Sequence, residues 1–164
     1  KGTGSAGYLW KVAPSTLTPT TPIALAGNST STPVVSDNGY VYAGWYGYDP
    51  VTFASEGGLQ AVLASSFSGT PINIYGGHLT PGDPVQSSPI VYSDGDEDYV
   101  YFTTNSDSGV GYCYYFDTST PAIPASEEWS EGGTSGNPYA VQGFASDGGY
   151  LVYGDDGNYL YIMK

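Results

Sequence analysis

Apolar positions along this chain do not recur at i, i+3, i+4 and i+7 over any stretch free of glycine and proline. They alternate with polar or aromatic positions in short runs bounded by turn residues, which is the signature of half-buried strands. In Tyr40-Val41-Tyr42 the two rings point to one face and Val41 to the other. With 24 Gly and 12 Pro the chain is punctuated too often for long helices, while 17 Tyr favour strands. An aromatic fraction of 15% sets it apart from disordered chains of similar Gly and Ser content. The pattern predicts an all-β, antiparallel fold without a three-turn helix.

Three phrases recur in fixed order. A glycine-led aromatic strand runs over Gly7 to Val12, Gly57 to Val62 and Gly111 to Phe116, and returns at Asn158 to Met163. A short strand ending in glycine follows at Pro22 to Gly27, Pro71 to Gly76 and, more weakly, Glu127 to Gly132. A hairpin comes third, at Pro33 to Tyr42, Pro89 to Tyr101 and Gly143 to Tyr153. Its turns are Asp-Asn-Gly, Asp-Gly and Asp-Gly-Gly, residues that accept positive φ. About four strands per repeat of roughly 50 residues predicts about three four-stranded propeller-like blades. One β-repeat domain is expected over 1–164, with repeats at 7–56, 57–110 and 111–157 and a closing strand at 158–164.

The hairpin phrase, Ser31-Thr32-Pro33-Val34-Val35 and Ser87-Ser88-Pro89-Ile90-Val91 with their return strands, resembles the PQQ-like β-propeller repeats of secreted and cell-surface proteins. That family closes each blade with an Ala-x-Asp-x-x-Thr-Gly phrase and a docking Trp. Here Leu63 to Thr70 lacks the Asp, Phe116 to Thr120 lacks the Gly, and Trp129 stands roughly where a docking Trp would be. Quinone enzymes of the family use a full ring of blades with axial metal-binding carboxylates. The resemblance therefore implies the architecture and an extracellular setting, with no cofactor expected beyond possible calcium.

Charge removes whole classes of partner. Beyond His78 the only basic side chains are Lys1, Lys11 and Lys164, against 16 Asp and Glu, for a net charge of −13 with His neutral. Nucleic acid and anionic lipid are held through Lys and Arg, so neither is an expected partner. No apolar run approaches the roughly 20 residues of a membrane helix, so no membrane insertion is expected. A single Cys excludes an internal disulfide framework and any Cys-based zinc site.

Few residues suggest chemistry. His78, the sole histidine, reads as a loop residue, because no nucleophile-elbow motif accompanies it. Cys113 lies mid-strand without a basic neighbour and reads as a small buried hydrophobe, with an intermolecular disulfide as the alternative. The acidic run Asp94-Gly95-Asp96-Glu97-Asp98 offers Asp94, Asp96 and Asp98 as a calcium site; Asp155-Asp156-Gly157-Asn158 is the lesser candidate. The bland reading of both is a solvated turn.

The tyrosine rows carry the interaction hypothesis. Tyr40, Tyr42, Tyr46 and Tyr48 recur at period two, as do Tyr112 and Tyr114. Such rows fill interfaces between sheets or subunits, or stack on sugar rings. Asn28-Ser29-Thr30 is a glycosylation sequon in an expected exposed loop, beside the Ser/Thr/Pro-rich segment 15–22. No signal-peptide pattern is present, so an extracellular chain is expected as a mature or processed form.

The expected function is a non-catalytic extracellular structural or interaction domain, a subunit of a surface layer, sheath or filament. The alternative is a carbohydrate-binding module using the tyrosine faces; the third reading is an enzyme related to quinone-dependent propellers. Three repeats are fewer than the four to eight blades of closed propellers, so self-assembly or a companion chain is expected to complete the fold.

Overall fold

A computed structural model describes residues 6–49, 51–52, 54–77, 82–105, 110–132, 143–147, 149–154 and 159–164. Among them there is no helix. The strands are β1 (Tyr8–Leu9), β2 (Val12–Ala13), β3 (Thr18–Pro19), β4 (Ile23–Ala24), β5 (Val34–Val35), β6 (Tyr40–Tyr48), β7 (Ser55–Leu63) and β8 (Ile72–Tyr75). They continue as β9 (Ile90–Asp94), β10 (Glu97–Thr103), β11 (Val110–Asp117), β12 (Ser126–Gly132), β13 (Ala145–Asp147), β14 (Tyr150–Gly154) and β15 (Leu160–Met163).

All pairings among the described residues are antiparallel and form five sheets. Sheet I has the order β5-β6-β7-β8, sheet II β9-β10-β11-β12, and sheet III β13-β14-β15. Two ribbons, β1-β4 and β2-β3, precede them. The all-β expectation is met. Three four-stranded blades are not: among the described residues two sheets have four strands, the third has three, and β1 to β4, within residues 8–24, form two-stranded ribbons. The described residues form no closed ring. Both four-stranded sheets open with the hairpin phrase and close with the short strand, so the expected repeat boundaries at 57 and 111 fall inside sheets.

The hairpin turns follow their sequence. Gly39, Gly95 and Gly149 have φ of 80°, 60° and 81°, a region an L side chain enters only with strain. The second hairpin is longer than the first. Val35 pairs with Val41, six residues on, but its counterpart Val91 pairs with Val100, nine residues on. The extra three residues extend β9 and β10 beyond the matching point of sheet I.

Period-two alternation then stacks the layers. In sheet I, Tyr40, Tyr42, Leu59, Ala61 and Ile74 turn toward sheet II and meet Val100, Phe102 and Phe116 in one core. The opposite face of sheet I, with Ala43, Trp45 and Val62, is covered by Leu9, Ile23 and Leu25 around the β1-β4 ribbon. The outer face of sheet II meets sheet III through Tyr101 and Trp129 against Phe144, at ring distances of 6.0 and 6.5 Å. The layers thus follow chain order: ribbon, sheet I, sheet II, sheet III.

Candidate interaction surfaces

The junction of sheets I and II is closed and carries a polar clasp. Asp98 is fully buried, and its carboxylate accepts from Tyr42 Oη at 2.6 Å, Ser93 Oγ at 2.7 Å and Asn38 Nδ2 at 2.9 Å. Two of these donors come from sheet I and its hairpin turn. The hairpin extension puts Asp98 there: it pairs with Ser93 and turns to the same inner face as Val100 and Phe102. Further bonds tie the same seam. The backbone N–H of Thr32 donates to Ser88 Oγ at 3.0 Å and that of Asp37 to Ser93 Oγ at 3.3 Å. These partners are 56 residues apart, the spacing of Pro33 and Pro89 in the repeated phrase.

Asp94, Asp96 and Asp98 are therefore not brought together. Asp94 and Asp96 are exposed at the hairpin tip, one on each side of Gly95, while Asp98 points inward. The two exposed carboxylates line an open depression of about 470 Å³ with Glu97, Tyr115, Asp117 and Ser119. Asp117 is held below the usual carboxylate range by hydrogen bonds from the hydroxyls of Ser119 and Thr120. Among the described residues, no group of three or more His, Cys, Asp or Glu side chains is arranged to hold a metal ion.

Four of the six tyrosines expected at an interaction surface lie in the I–II junction. Tyr40 and Tyr42 are buried against the edge of Phe116, at 5.2 and 6.4 Å. Tyr112 and Tyr114 are half-buried, each in ring contact with Tyr75 and Phe102. Burial pushes the Tyr42 hydroxyl far above its ordinary pKa, and the Asp98 carboxylate adds to the effect. Only Tyr48 is exposed, while Tyr46 is half-buried and pairs through its backbone with Asn28.

That pairing changes the picture of the sequon. Asn28 and Tyr46 exchange both backbone hydrogen bonds, at 2.8 and 2.9 Å, and Ser29 Oγ donates to the Gly44 carbonyl at 2.7 Å. The segment expected as a free loop is a pinned, half-buried stretch alongside β6. The Ser/Thr/Pro-rich segment is exposed and includes the turn and return strand of the β2-β3 hairpin. His78 and the run 155–158 lie outside the described residues.

Cys113 is buried between Tyr101 on β10 and Trp129 on β12. Burial pushes its thiol up to about 11, so almost none is the nucleophilic thiolate at neutral pH.

The II–III junction differs from the I–II junction because it is only partly filled. At one end Phe144 and Tyr153 pack closely over Gly111, where an added Cβ would lie 3.0 and 2.8 Å from their rings. At the other end the sheets part, leaving a cleft of about 720 Å³. Tyr92, Tyr99 and Trp129 line its sheet II wall, and Tyr150, Leu151 and Met163 the opposite side. Tyr92 is 61% exposed, Tyr150 is 43% exposed, and Lys164 Nζ lies 5.6 Å from the Tyr150 ring centre. No sequence motif marks this set, because its members come from β9, β10, β12, β14 and β15.

The outermost layers expose apolar groups. Tyr8 and Trp10, on the ribbon face opposite Leu9, are 55% and 56% exposed. Leu160 and Ile162, opposite the inward Tyr161, are 66% and 61% exposed. Compared with known proteins, the chain matches no family model, no curated protein and no solved structure.

Proposed function

We propose that this chain is a non-catalytic structural and interaction module, a subunit of an extracellular or cell-surface assembly, built from propeller-like layers. The observation that carries the reading is the stack itself, with both outer layers presenting apolar side chains to solvent. Apolar faces of that kind mark contact surfaces. Adjacent first strands β5 and β9, and bonds between positions one repeat apart, support the propeller-like description. Among the described residues, the groups best suited to chemistry are occupied structurally: Asp98 accepts from three side chains, and Cys113 is a buried, neutral thiol. The scarcity of Lys and the exposed Ser/Thr/Pro-rich hairpin support an extracellular setting.

Fractionation of the native source tests this reading. Recovery of the chain in a large complex of the cell-surface or extracellular fraction is the expected result. Recovery as a free intracellular monomer overturns it.

The cleft between sheets II and III favours carbohydrate binding as a second reading. Exposed Tyr92 and Tyr150 offer ring faces beside Glu128, Ser146 and Lys164, which supply hydrogen-bonding groups. Glycan-array binding that is lost in Tyr92→Ala supports it, and no binding to any glycan removes it.

A further inference from the structure

We infer that the cleft between sheets II and III binds a small organic cation, an ammonium group carried on an apolar body. The inference goes beyond the assembly reading and shares only the cleft itself with the carbohydrate reading. Antiparallel pairing builds the sheet II wall from two cross-strand rows. In one, Tyr92 pairs with Tyr99, their ring centres 6.4 Å apart. In the next, Ile90, Tyr101, Cys113 and Trp129 lie side by side across β9, β10, β11 and β12. The rings of Tyr92, Tyr99, Trp129 and Tyr150 thus border one space of about 720 Å³, a size suited to a small molecule.

Charge selects the ligand. Aromatic rings attract a cation to their electron-rich faces. One ring of the cleft already holds one: Lys164 Nζ lies 5.6 Å from the centre of Tyr150. The sheet II wall adds carboxylates. Glu128 lines the cleft beside Trp129, and just beyond it Glu97 accepts from Tyr99 Oη at 3.0 Å. That hydrogen bond raises the Tyr99 pKa, and burial and the charges of Glu97 and Glu128 add to the rise. A negative potential therefore reaches the rings. Among the described residues the only other basic side chain is Lys11, whose Nζ donates to the Ala64 carbonyl just past β7, at 2.8 Å. An anion would be repelled by these carboxylates, and an uncharged ligand would gain nothing from them. An ammonium gains from both rings and carboxylates, and Leu151 and Met163 suit the apolar body that carries it. Lys164 is then a resident competitor for the Tyr150 ring.

The test is a ligand-observed NMR titration of the full chain with choline, beside the uncharged tert-butyl isostere of choline. Choline is expected to bind with a dissociation constant on the order of 1 mM, and the isostere about tenfold more weakly. Variants are each checked for an unchanged circular dichroism spectrum. Tyr92→Leu is expected to weaken choline binding about fivefold, and Tyr92→Phe to restore most of that loss, because the ring holds the cation. Tyr150→Leu serves in its place if Tyr92→Leu misfolds. Glu128→Gln is expected to weaken binding about threefold. Lys164→Met is expected to tighten it about threefold, since the resident ammonium no longer competes. A merely structural role for these residues would not produce that gain.

A chain that does not bind choline at tens of millimolar overturns the proposal, as does equal binding of choline and its isostere. So does choline binding that is undiminished in the leucine variant, or no tighter in Lys164→Met. Failure here is separable from failure of the other readings. A chain that binds an uncharged glycan but no choline sinks the cation site alone. A chain that binds choline but is recovered free inside cells sinks the assembly reading alone.

Discussion

Tyr42 and Asp98 meet at 2.6 Å across the junction of two sheets, both side chains fully removed from solvent. The phenol is one of three donors to a carboxylate that has no basic partner among the described residues. Removing it in Tyr42→Phe leaves Asp98 Oδ2 buried without that hydrogen bond. The substitution is expected to cost about 1.5–3 kcal/mol, because the acceptor is charged and desolvated. Urea denaturation of the variant measures this; a midpoint equal to wild type would show that the clasp does not hold the sheets.

Alkali is expected to unfold the protein in a defined window. Burial raises Tyr101 and Tyr114 from 10.0 to about 12, and Cys113 from 9.0 to about 11. Each group favours the fold while neutral, so its contribution is whole below the unfolded pKa and is lost as pH rises through the folded value. Melting temperature should therefore hold to about pH 9 and fall steeply toward pH 12. Tyrosinate absorbance rising in a single smooth step near pH 10, with the fold intact, would contradict this.

Two glycines are expected to resist substitution for different reasons. Gly111→Ala drives a Cβ to 2.8 Å from Tyr153 and 3.0 Å from Phe144, so it should loosen sheet III from sheet II at about 1–3 kcal/mol. Gly39→Ala meets no atom within 4 Å, but its φ of 80° costs about 1–2 kcal/mol in the backbone alone. Tryptophan fluorescence separates them: the first variant should perturb the environment of Trp129 before global unfolding, and the second should not.

Cys113 should be silent in the native protein. Its burial and its raised pKa together predict negligible reaction with an aromatic disulfide reagent at neutral pH, and stoichiometric reaction once unfolded in urea. Rapid native labelling would place the thiol at the surface and revive an intermolecular disulfide.

The strand content and the hairpins were legible because their signals are local. Gly39, Gly95 and Gly149 each sit where a turn needs a positive φ, and the alternation of Tyr40, Val41 and Tyr42 gives their faces directly. Sheet membership was not, since a repeat has a period but no origin. The glycine-led strand that seems to begin a unit at Gly57 is the third strand of sheet I. The acidic run misled for a related reason: only pairing shows that Asp96, Glu97 and Asp98 lengthen a hairpin and turn one carboxylate inward. Tyr92, Tyr99 and Tyr150 were not legible as a site, and Trp129 read only as a docking residue, because period two assigns each a face without saying whether a neighbouring layer fills it.

The lengthened hairpin also gives the stack an address. Sheet II reaches toward the layer before it with a carboxylate, and Asn38 and Tyr42 of sheet I supply matching donors. A sheet slotted into the wrong place would leave Asp98 buried with only Ser93 to satisfy it, a defect worth several kcal/mol. Repeated layers with similar apolar faces are prone to pair out of turn during folding. One buried acidic side chain, set where only the right neighbour answers it, distinguishes the native order from its permutations.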